Sequence, residues 1–600
     1  MTAGKVDYTT YQKAADHFPE IPTDQFNRSL VLLQPDGQVV FAAEAVCRSL
    51  ANRRSLEWLS WSYDHVPGFA AVSETGYRVI ARHRNFASAV TRLLWGKDVR
   101  RPTYFWAQRW FLRALGVIYL IAFVSLWVQV DGLVGSNGML PVNQFLPAVR
   151  AQVGPDAYVL LPTLCWFNSS DVFLHFLCGS GVVCSLLLIF GIAPAVSLAA
   201  LFILYLSLTI AGQDFFNFQW DVLLLETGFL SIFLAPWQLW PRQLIWWPRS
   251  AHPATTPVSR VGLFLLKLLL FKLMLMSGVV KLTSGDDSWW NLTALDYHYW
   301  SQPLPTVFAW WADKSPEWFK HFSVAFCLVV EIIVPFFIWA PRLLRLIAAG
   351  LLIFLQLAIA ITGNYCFFNL LTIALCLLLI DDSAVGITHV PQAGREEKLG
   401  APGSHALPQR LCVYVGAFVI IVTLLINAWL IFSAFKPLSR PPRALVNFYE
   451  RLETFRIVNG YGLFRVMTKD RGEIVLEGSA DGVDWLSYEF KWKPGDVKRA
   501  PGWCAPHQPR LDWQMWFASL GTPRENPWLV GLIYRLLLGS HEVSGLLKND
   551  PFPDKPPRYV RAMFYRYRFT TLDELRDTGA WWKREELREY MPTLSLDQFR

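Results

Sequence analysis

Apolar residues run in long blocks through the middle of the chain and in short alternating runs at its two ends. A block needs about 20 predominantly apolar residues to cross the hydrocarbon core, with roughly 17 to 25 tolerated. Nine blocks approach that length: about 109–130, 172–192, 194–211, 221–238, 262–281, 319–340, 344–361, 364–380 and 411–433. The pair 344–361 and 364–380 is short and parted only by TGN, which reads as a tight hairpin or a re-entrant pair. Upstream, SLVLLQPDGQVVF alternates around an Asp-Gly turn as a β-hairpin does, and AAEAVCRSLANR has helical spacing. Downstream, LFRVMT, EIVLEGSADGVDW and SYEFKWK are strand-like runs with turn signals at Asp481-Gly482 and Pro494-Gly495, and LDWQMWFASL follows them. The pattern predicts a polytopic α-helical membrane protein of about nine helices over 108–434. A small N-terminal α/β segment (1–100) precedes it, and a C-terminal extramembrane β-sandwich-like domain (440–600) follows.

Composition agrees with that pattern. The 600 residues are 53% hydrophobic, 15% aromatic and 17% charged, and the mean hydropathy of +0.29 is too high for an ordinary soluble multidomain chain. The net charge of +8 does not point to nucleic acid, because Lys and Arg are scattered and flank the apolar blocks as topology signals do. One side receives Lys97, Arg100, Arg101 and Arg109, then Arg242, Arg249 and Arg260, then Arg342 and Arg345. The other receives the loop 131–171, the GQDFFNFQW turn and the acidic segment from Asp286. The amino terminus is therefore expected in the cytoplasm and, for an odd count of spans, the carboxyl-terminal domain outside it. Lys436, Arg440 and Arg443 count against that side assignment. The first 30 residues lack the apolar run of a cleavable signal peptide. Nine cysteines contain no CxxC, so no disulfide framework is expected.

An ionisable side chain deep in a span costs about 2.5 to 3.5 kcal/mol on insertion scales, so it faces a partner or a wet cavity. Lys267, Lys272, Glu226, Glu331 and His175 are such groups. Structural pairing of Lys267 and Lys272 with Glu226 and Glu331 is the plainer reading. Lys281, at the end of VGLFLLKLLLFKLMLMSGVVKL, either snorkels to the interface or faces a cavity. Asp221 suits a helix N-cap, Glu226 needs a donor or a proton, and Asn364, Tyr365 and Asn369 suit a helix junction with backbone groups to satisfy. In CAPHQPRLDWQMWF, Cys504, His507, Arg510, Asp512, Trp513 and Trp516 suggest a packing surface or a docking surface for clients. Without a second Cys/His pair nearby, zinc is not expected there, and no cofactor is implied elsewhere. Sequons at Asn27, Asn168 and Asn291 would matter only in a eukaryotic secretory membrane.

GLVGSNGMLPVNQFL, FQWDVLLLETGFLSIFLAP, MSGVVKLTSGDDSWWNLTALDYHY, TGNYCFFNLLTIALCLLLIDD, NGYGLFRVMT, EIVLEGSADGVDW and APHQPRLDWQMWF together resemble the lipase maturation factor family, in consistent order from about 108 to 598. The resemblance implies a membrane-bound, chaperone-like maturation factor. Animal members act in the endoplasmic reticulum membrane on secreted lipases, and a region corresponding to 445–600 engages the lipase. Residues 29–88 resemble the second half of a DCC-type thioredoxin-like domain, but the active dithiol of that family has no counterpart and Cys47 has no partner cysteine. SGVVKL is distantly similar to the helix of vitamin K-dependent gamma-carboxylase that carries its proposed catalytic lysine, which would make Lys281 a base.

The sequence therefore leads to a maturation factor whose partners are the lipid bilayer and exported clients, lipases foremost. The alternative is a membrane-embedded carboxylase-like enzyme using Lys281, and a transporter is a more remote third class for want of inverted repeats. Compact loops and abundant Trp suggest a bacterial inner membrane, or the endoplasmic reticulum if the chain is eukaryotic.

Overall fold

The computed structural model describes residues 6–10, 29–53, 56–96, 101–216, 218–240, 258–387, 406–435 and 443–599, without side chains at 406–419 and 444–445. Lys97, Arg100, Arg242, Arg249, Lys436, Arg440 and the sequon at Asn27 lie outside these residues. The chain forms two compact units, residues 1–99 with 341–343, and residues 100–340 with 344–600.

In the first unit the expected hairpin is present: β1 (Val31–Leu33) pairs antiparallel with β2 (Val39–Phe41). Gly37 takes the left-handed φ of +85° that the turn requires, and Asp36 accepts from the Gln38 N–H at 3.0 Å. Four helices follow, α1 (Ala42–Ala51), α2 (Glu57–His65), α3 (Phe69–Arg82) and α4 (Arg84–Trp95). Glu74 on α3 ties three of them together by accepting from the Ala43 N–H on α1 and the Tyr63 hydroxyl on α2.

The second unit opens with the helices α5 (Phe105–Trp127), α6 (Asp171–Phe190), α7 (Pro194–Ala211), α8 (Gln219–Ile232) and α9 (Arg260–Thr283). Local signals set their ends. The Ser170 side chain caps α6 through the Phe173 N–H, Gly191 closes it in the left-handed region, Pro194 starts α7, and Ser259 caps α9 through the Gly262 N–H. After the short helix α10 (Ala294–Ser301) come α11 (Glu317–Ile332), which continues as a 3-10 turn to Trp339, α12 (Arg342–Thr362), α13 (Phe368–Leu377) and α14 (Ala406–Phe435).

Each of the nine apolar blocks thus falls on a helix, but the blocks are not equal. Six helices among the described residues are long and apolar enough to cross a membrane: α5, α6, α7, α9, α11 with its 3-10 extension, and α12. At 14 and 10 residues, α8 and α13 rise only about 21 and 15 Å against a core of about 30 Å. α13 starts only at Phe368 because Asn364 and Tyr365 of the preceding TGNYCF junction hydrogen-bond to other elements, as described below. The 131–171 segment, expected as one loop, carries its own helices at Val130–Val134 and Val142–Val153.

Helices approach closely where a side chain is missing. A Cβ on Gly278 of α9 would stand 2.5 Å from the Ile332 Cγ1 and 2.9 Å from the Glu331 Cβ on α11. That glycine therefore sets the distance between α9 and α11, as small residues do between membrane helices.

The carboxyl-terminal region contains one four-stranded antiparallel sheet, in the order β4 (Leu486–Tyr488), β3 (Arg471–Ser479), β5 (Tyr559–Phe569), β6 (Trp582–Leu594). The sequence reading expected two sheets in a sandwich. Among the described residues there is a single sheet, and helices α15 (Arg510–Ser519) and α16 (Trp528–Leu537) lie between its strands in sequence. Both helices are apolar enough to supply the second layer: α16 buries Leu529, Leu532, Ile533 and Leu536 in the same core as Ile474, Leu476 and Val560 of the sheet. That core runs without interruption into Leu115, Leu224 and Leu269 of the membrane helices, so bundle and domain share one interior.

Candidate functional site

Two buried carboxylates on α8 receive groups from the domain. Asp221, read from sequence as an N-cap, instead accepts from both terminal nitrogens of Arg510, at 2.9 and 3.0 Å, and from the Tyr205 hydroxyl at 2.5 Å. Arg510 also donates to the Phe215 carbonyl and stacks 3.4 Å from the Phe216 ring centroid. Two forked donors and a planar acceptor make this a bidentate ion pair, a geometry lysine cannot reproduce.

Glu226, five residues further along, finds the donors it needs. Lys272 donates to its Oε1 at 2.6 Å, and its Oε2 accepts from the Asn459 N–H, the Asn459 side chain and the Tyr461 hydroxyl, the last at 2.7 Å. The NGYG motif thus enters the bundle and completes the coordination of a buried ion pair, which would otherwise leave lone pairs unsatisfied.

Further contacts line the same end of the bundle. Asp286 accepts from the Met467 N–H at 2.6 Å and caps the helix start at Ser288. Asn364 accepts from the Cys504 and Ala505 N–H groups and donates to the Gly502 carbonyl. Arg471 donates to the carbonyls of Trp300, Gln302 and Pro303 while paired with Glu473. Ser125 and Gln129 at the end of α5 bind the 507–510 backbone, and the Ser125 hydroxyl shares a hydrogen bond with His507 Nδ1 at 2.9 Å.

The CAPHQPRLDWQMWF group therefore does not form an exposed docking surface. Cys504, Arg510, Asp512, Trp513 and Trp516 are buried and His507 is half-buried. Asp512 accepts from the Trp492 and Lys493 N–H groups, Trp513 stacks edge-on against Trp220 at 4.5 Å, and Trp516 donates to the Ser301 carbonyl. The reason is packing: Arg510, Trp513 and Trp516 face the bundle, where Phe216, Phe218, Trp220 and the Ser301 carbonyl meet them, while Asp512 turns to its own domain. Burial raises the Cys504 thiol well above its ordinary pKa, which removes the thiolate a nucleophile needs. Burial and the neighbouring Lys491 and Arg510 lower His507 to about 4, so it is a neutral hydrogen-bonding group.

The intramembrane lysines part company. Lys272 pairs with Glu226 and Lys281 with Glu331 at 2.5 Å, whereas Lys267 pairs with neither glutamate. Its Nζ lies 4.1 Å from the Tyr104 ring centroid, at the opposite end of α9, near the Arg345–Asp381 ion pair. His175 bonds Asp131 and accepts from the Trp127 indole. Lys281 is 5% exposed and does not snorkel. It lines a cavity of about 520 Å³ together with Glu331, His298, Tyr365, Asn369 and Trp289. Asp296, Glu317 and His321 bring ligand-type atoms within 4.8 Å of one another, but Lys320 Nζ already sits 2.7 Å from the Asp296 carboxylate and supplies the counter-charge. Ser125, Gln129, Tyr205, Asn459, Tyr461 and His298 were not legible as site residues, since neutral polar groups have no periodicity to betray them.

Comparison with known proteins follows the same division. Residues 106–387 match the model of the lipase maturation factor transmembrane domain, and residues 457–592 that of the lipase maturation factor C-terminal domain. The chain is 34% identical to lipase maturation factor 2 of Gallus gallus, over 84% of this chain and 82% of that protein. It is 36% identical to lipase maturation factor 1 of Bos taurus, over 85% and 93%, and 34% identical to lipase maturation factor 2 of Homo sapiens, over 81% and 82%. No solved structure matches. Neither family segment includes residues 29–88, so the thioredoxin-like reading of them is not shown, and the carboxylase alternative is not supported. With both halves of the joint inside the matched segments, and with relatives aligned over four-fifths of the chain, this protein belongs to the lipase maturation factor family.

Proposed function

We propose that this protein is a membrane-embedded maturation factor that assists the folding or assembly of exported clients, lipases foremost. The observation that carries the reading is the joint: the family's transmembrane and C-terminal segments share one apolar core and are pinned by Asp221–Arg510 and by Glu226 with Asn459 and Tyr461. A domain held so firmly is a platform at the membrane surface, not a tethered module. Client contact then belongs to the exposed surface of residues 445–600, while the Cys504-to-Trp516 group positions that surface from beneath.

The same contacts support a side for the domain. Its partners, 125–139, 205–221, 286–303 and Asn364, all lie at one end of the bundle, and Arg109, Arg260 and Arg345 lie on the helix ends opposite. With basic residues facing the cytoplasm, the domain faces the export side. On this reading the domain belongs in the periplasm of a bacterial inner membrane or in the lumen of an endoplasmic reticulum membrane.

Deletion of the gene followed by measurement of secreted lipase activity per unit of lipase antigen tests the function. A lower ratio, restored by the wild-type gene, is expected; an unchanged ratio across the cell's secreted lipases refutes the client assignment.

A further inference from the structure

The cavity beside Lys281 has a shape and a chemistry that the joint does not explain. Its volume of about 520 Å³ lies within the roughly 300–1,000 Å³ of small-molecule sites. Its wall is mostly apolar, built from α9, α11 and α12, and four lining side chains, Phe319, Phe322, Phe354 and Ile361, are exposed on the outer surface of α11 and α12. Both helices belong to the membrane-crossing set, so the opening these residues frame faces the acyl chains. A molecule entering there comes from the bilayer.

The inner end is polar but carries no net charge. Lys281 and Glu331 neutralise each other at 2.5 Å, and Asn369 donates to Gln356 at 2.8 Å. The Tyr365 hydroxyl lies 2.8 Å from the Gln302 Oε1 and 3.2 Å from the His298 Nε2. Burial and the nearby Lys281 lower His298 to about 4, so this imidazole is neutral too. The indole Nε1 of Trp289, a lining residue only 5% exposed, has no hydrogen-bond partner among the described residues. A buried N–H without an acceptor costs about 1–3 kcal/mol, which an oxygen-bearing occupant relieves.

We propose that this cavity binds a neutral single-chain lipid from the bilayer, of the monoacylglycerol class, with its chain along Phe322, Phe326 and Phe354 and its hydroxyl or ester oxygens beside Trp289 and Lys281. A phospholipid fits poorly on two counts: the site is sized for one chain, and its matched charges offer no excess cation for a phosphate. The inference is independent of the client, since it rests on the cavity alone.

The test uses the full-length protein in phosphatidylcholine nanodiscs and a monoacylglycerol carrying a diazirine in its acyl chain. Irradiation is expected to label peptides containing Phe322–Cys327 and Phe354–Thr362, and excess unmodified monoacylglycerol is expected to suppress that label while sparing the label on other lipid-facing helices. Ala358→Trp, which fills the cavity from α12, is expected to lower the labelling about tenfold. The competition between the two monoacylglycerols in the wild-type protein is a readout that needs no variant to fold. Uniform labelling of the whole lipid-facing surface, failure of the competitor to suppress the cavity label, or equal labelling of the cavity by a diazirine phosphatidylcholine would each overturn the proposal.

Discussion

Arg510 and Asp221, 289 residues apart in the chain, meet through two N–H···O bonds in a site where neither side chain is more than 1% exposed. The pair links the first helix of the domain after its sheet begins to the outer end of α8, and Tyr205 and the Phe215 carbonyl add further hydrogen bonds, while the buried Arg510 Nε has no partner among the described residues. Breaking a buried ion pair from one side leaves the other charge uncompensated away from water.

Removing one partner is therefore costly. Arg510→Ala strands the Asp221 carboxylate, and a loss of about 3–5 kcal/mol is expected. Arg510→Lys keeps the charge but not the fork, so it should recover only part of that. Thermal unfolding in detergent reads the stability. Limited proteolysis should show 445–600 released from the bundle in Arg510→Ala, and an intact proteolytic pattern would contradict the joint.

Glu226 offers a separable test because Lys272 and the NGYG motif approach different oxygens. Glu226→Gln leaves the Lys272 ammonium buried and unpaired and should destabilise by several kcal/mol, about as much as breaking other buried pairs. The double variant Glu226→Gln with Lys272→Met removes the stranded charge and should be more stable than Glu226→Gln alone. Equal melting temperatures for the single and double variants would show that the two side chains are not coupled.

Gly278 sets the α9 to α11 spacing on which the Lys281–Glu331 bond depends. Gly278→Val places branched methyls where even a Cβ comes within 2.5 Å of Ile332. Overpacking of this kind costs about 1–3 kcal/mol. The melting temperature should fall, whereas Gly350→Val on α12, where a Cβ meets nothing within 4 Å, should leave it nearly unchanged.

Acid should weaken the fold through its histidines. His298 and His507 have folded pKa values lowered to about 4 from an ordinary 6.5, chiefly by burial. Between those values the unfolded chain takes up protons that the folded chain refuses, so stability is full above about 6.5 and falls as the pH drops toward 4. Melting temperature measured from pH 7.5 to 4.5 should decline, and His507→Gln should flatten the decline. An unchanged slope in that variant would remove His507 as a contributor.

Local pattern alone determined a good deal of this protein. Runs of apolar residues marked where helices lie, six of them long and apolar enough among the described residues to cross a membrane, and Asp36-Gly37 fixed the first hairpin through turn chemistry. The buried charges at Glu226, Lys272, Lys281 and Glu331 were visible as costs that demanded partners. Which partner each would take was not visible: Lys281 rather than Lys272 reached Glu331, and Lys267 turned to Tyr104. Nor did strand-like runs reveal that one sheet, backed by helices, would replace a sandwich. Of the packing or docking surface expected at Cys504 to Trp516, the folded chain makes an inner packing face, because exposure is decided by what packs on top. Secondary structure follows from neighbours a few residues away, whereas the Asp221–Arg510 clasp, the reach of Tyr461 to Glu226 and the cavity at Lys281 join residues that only the folded chain brings within bonding distance.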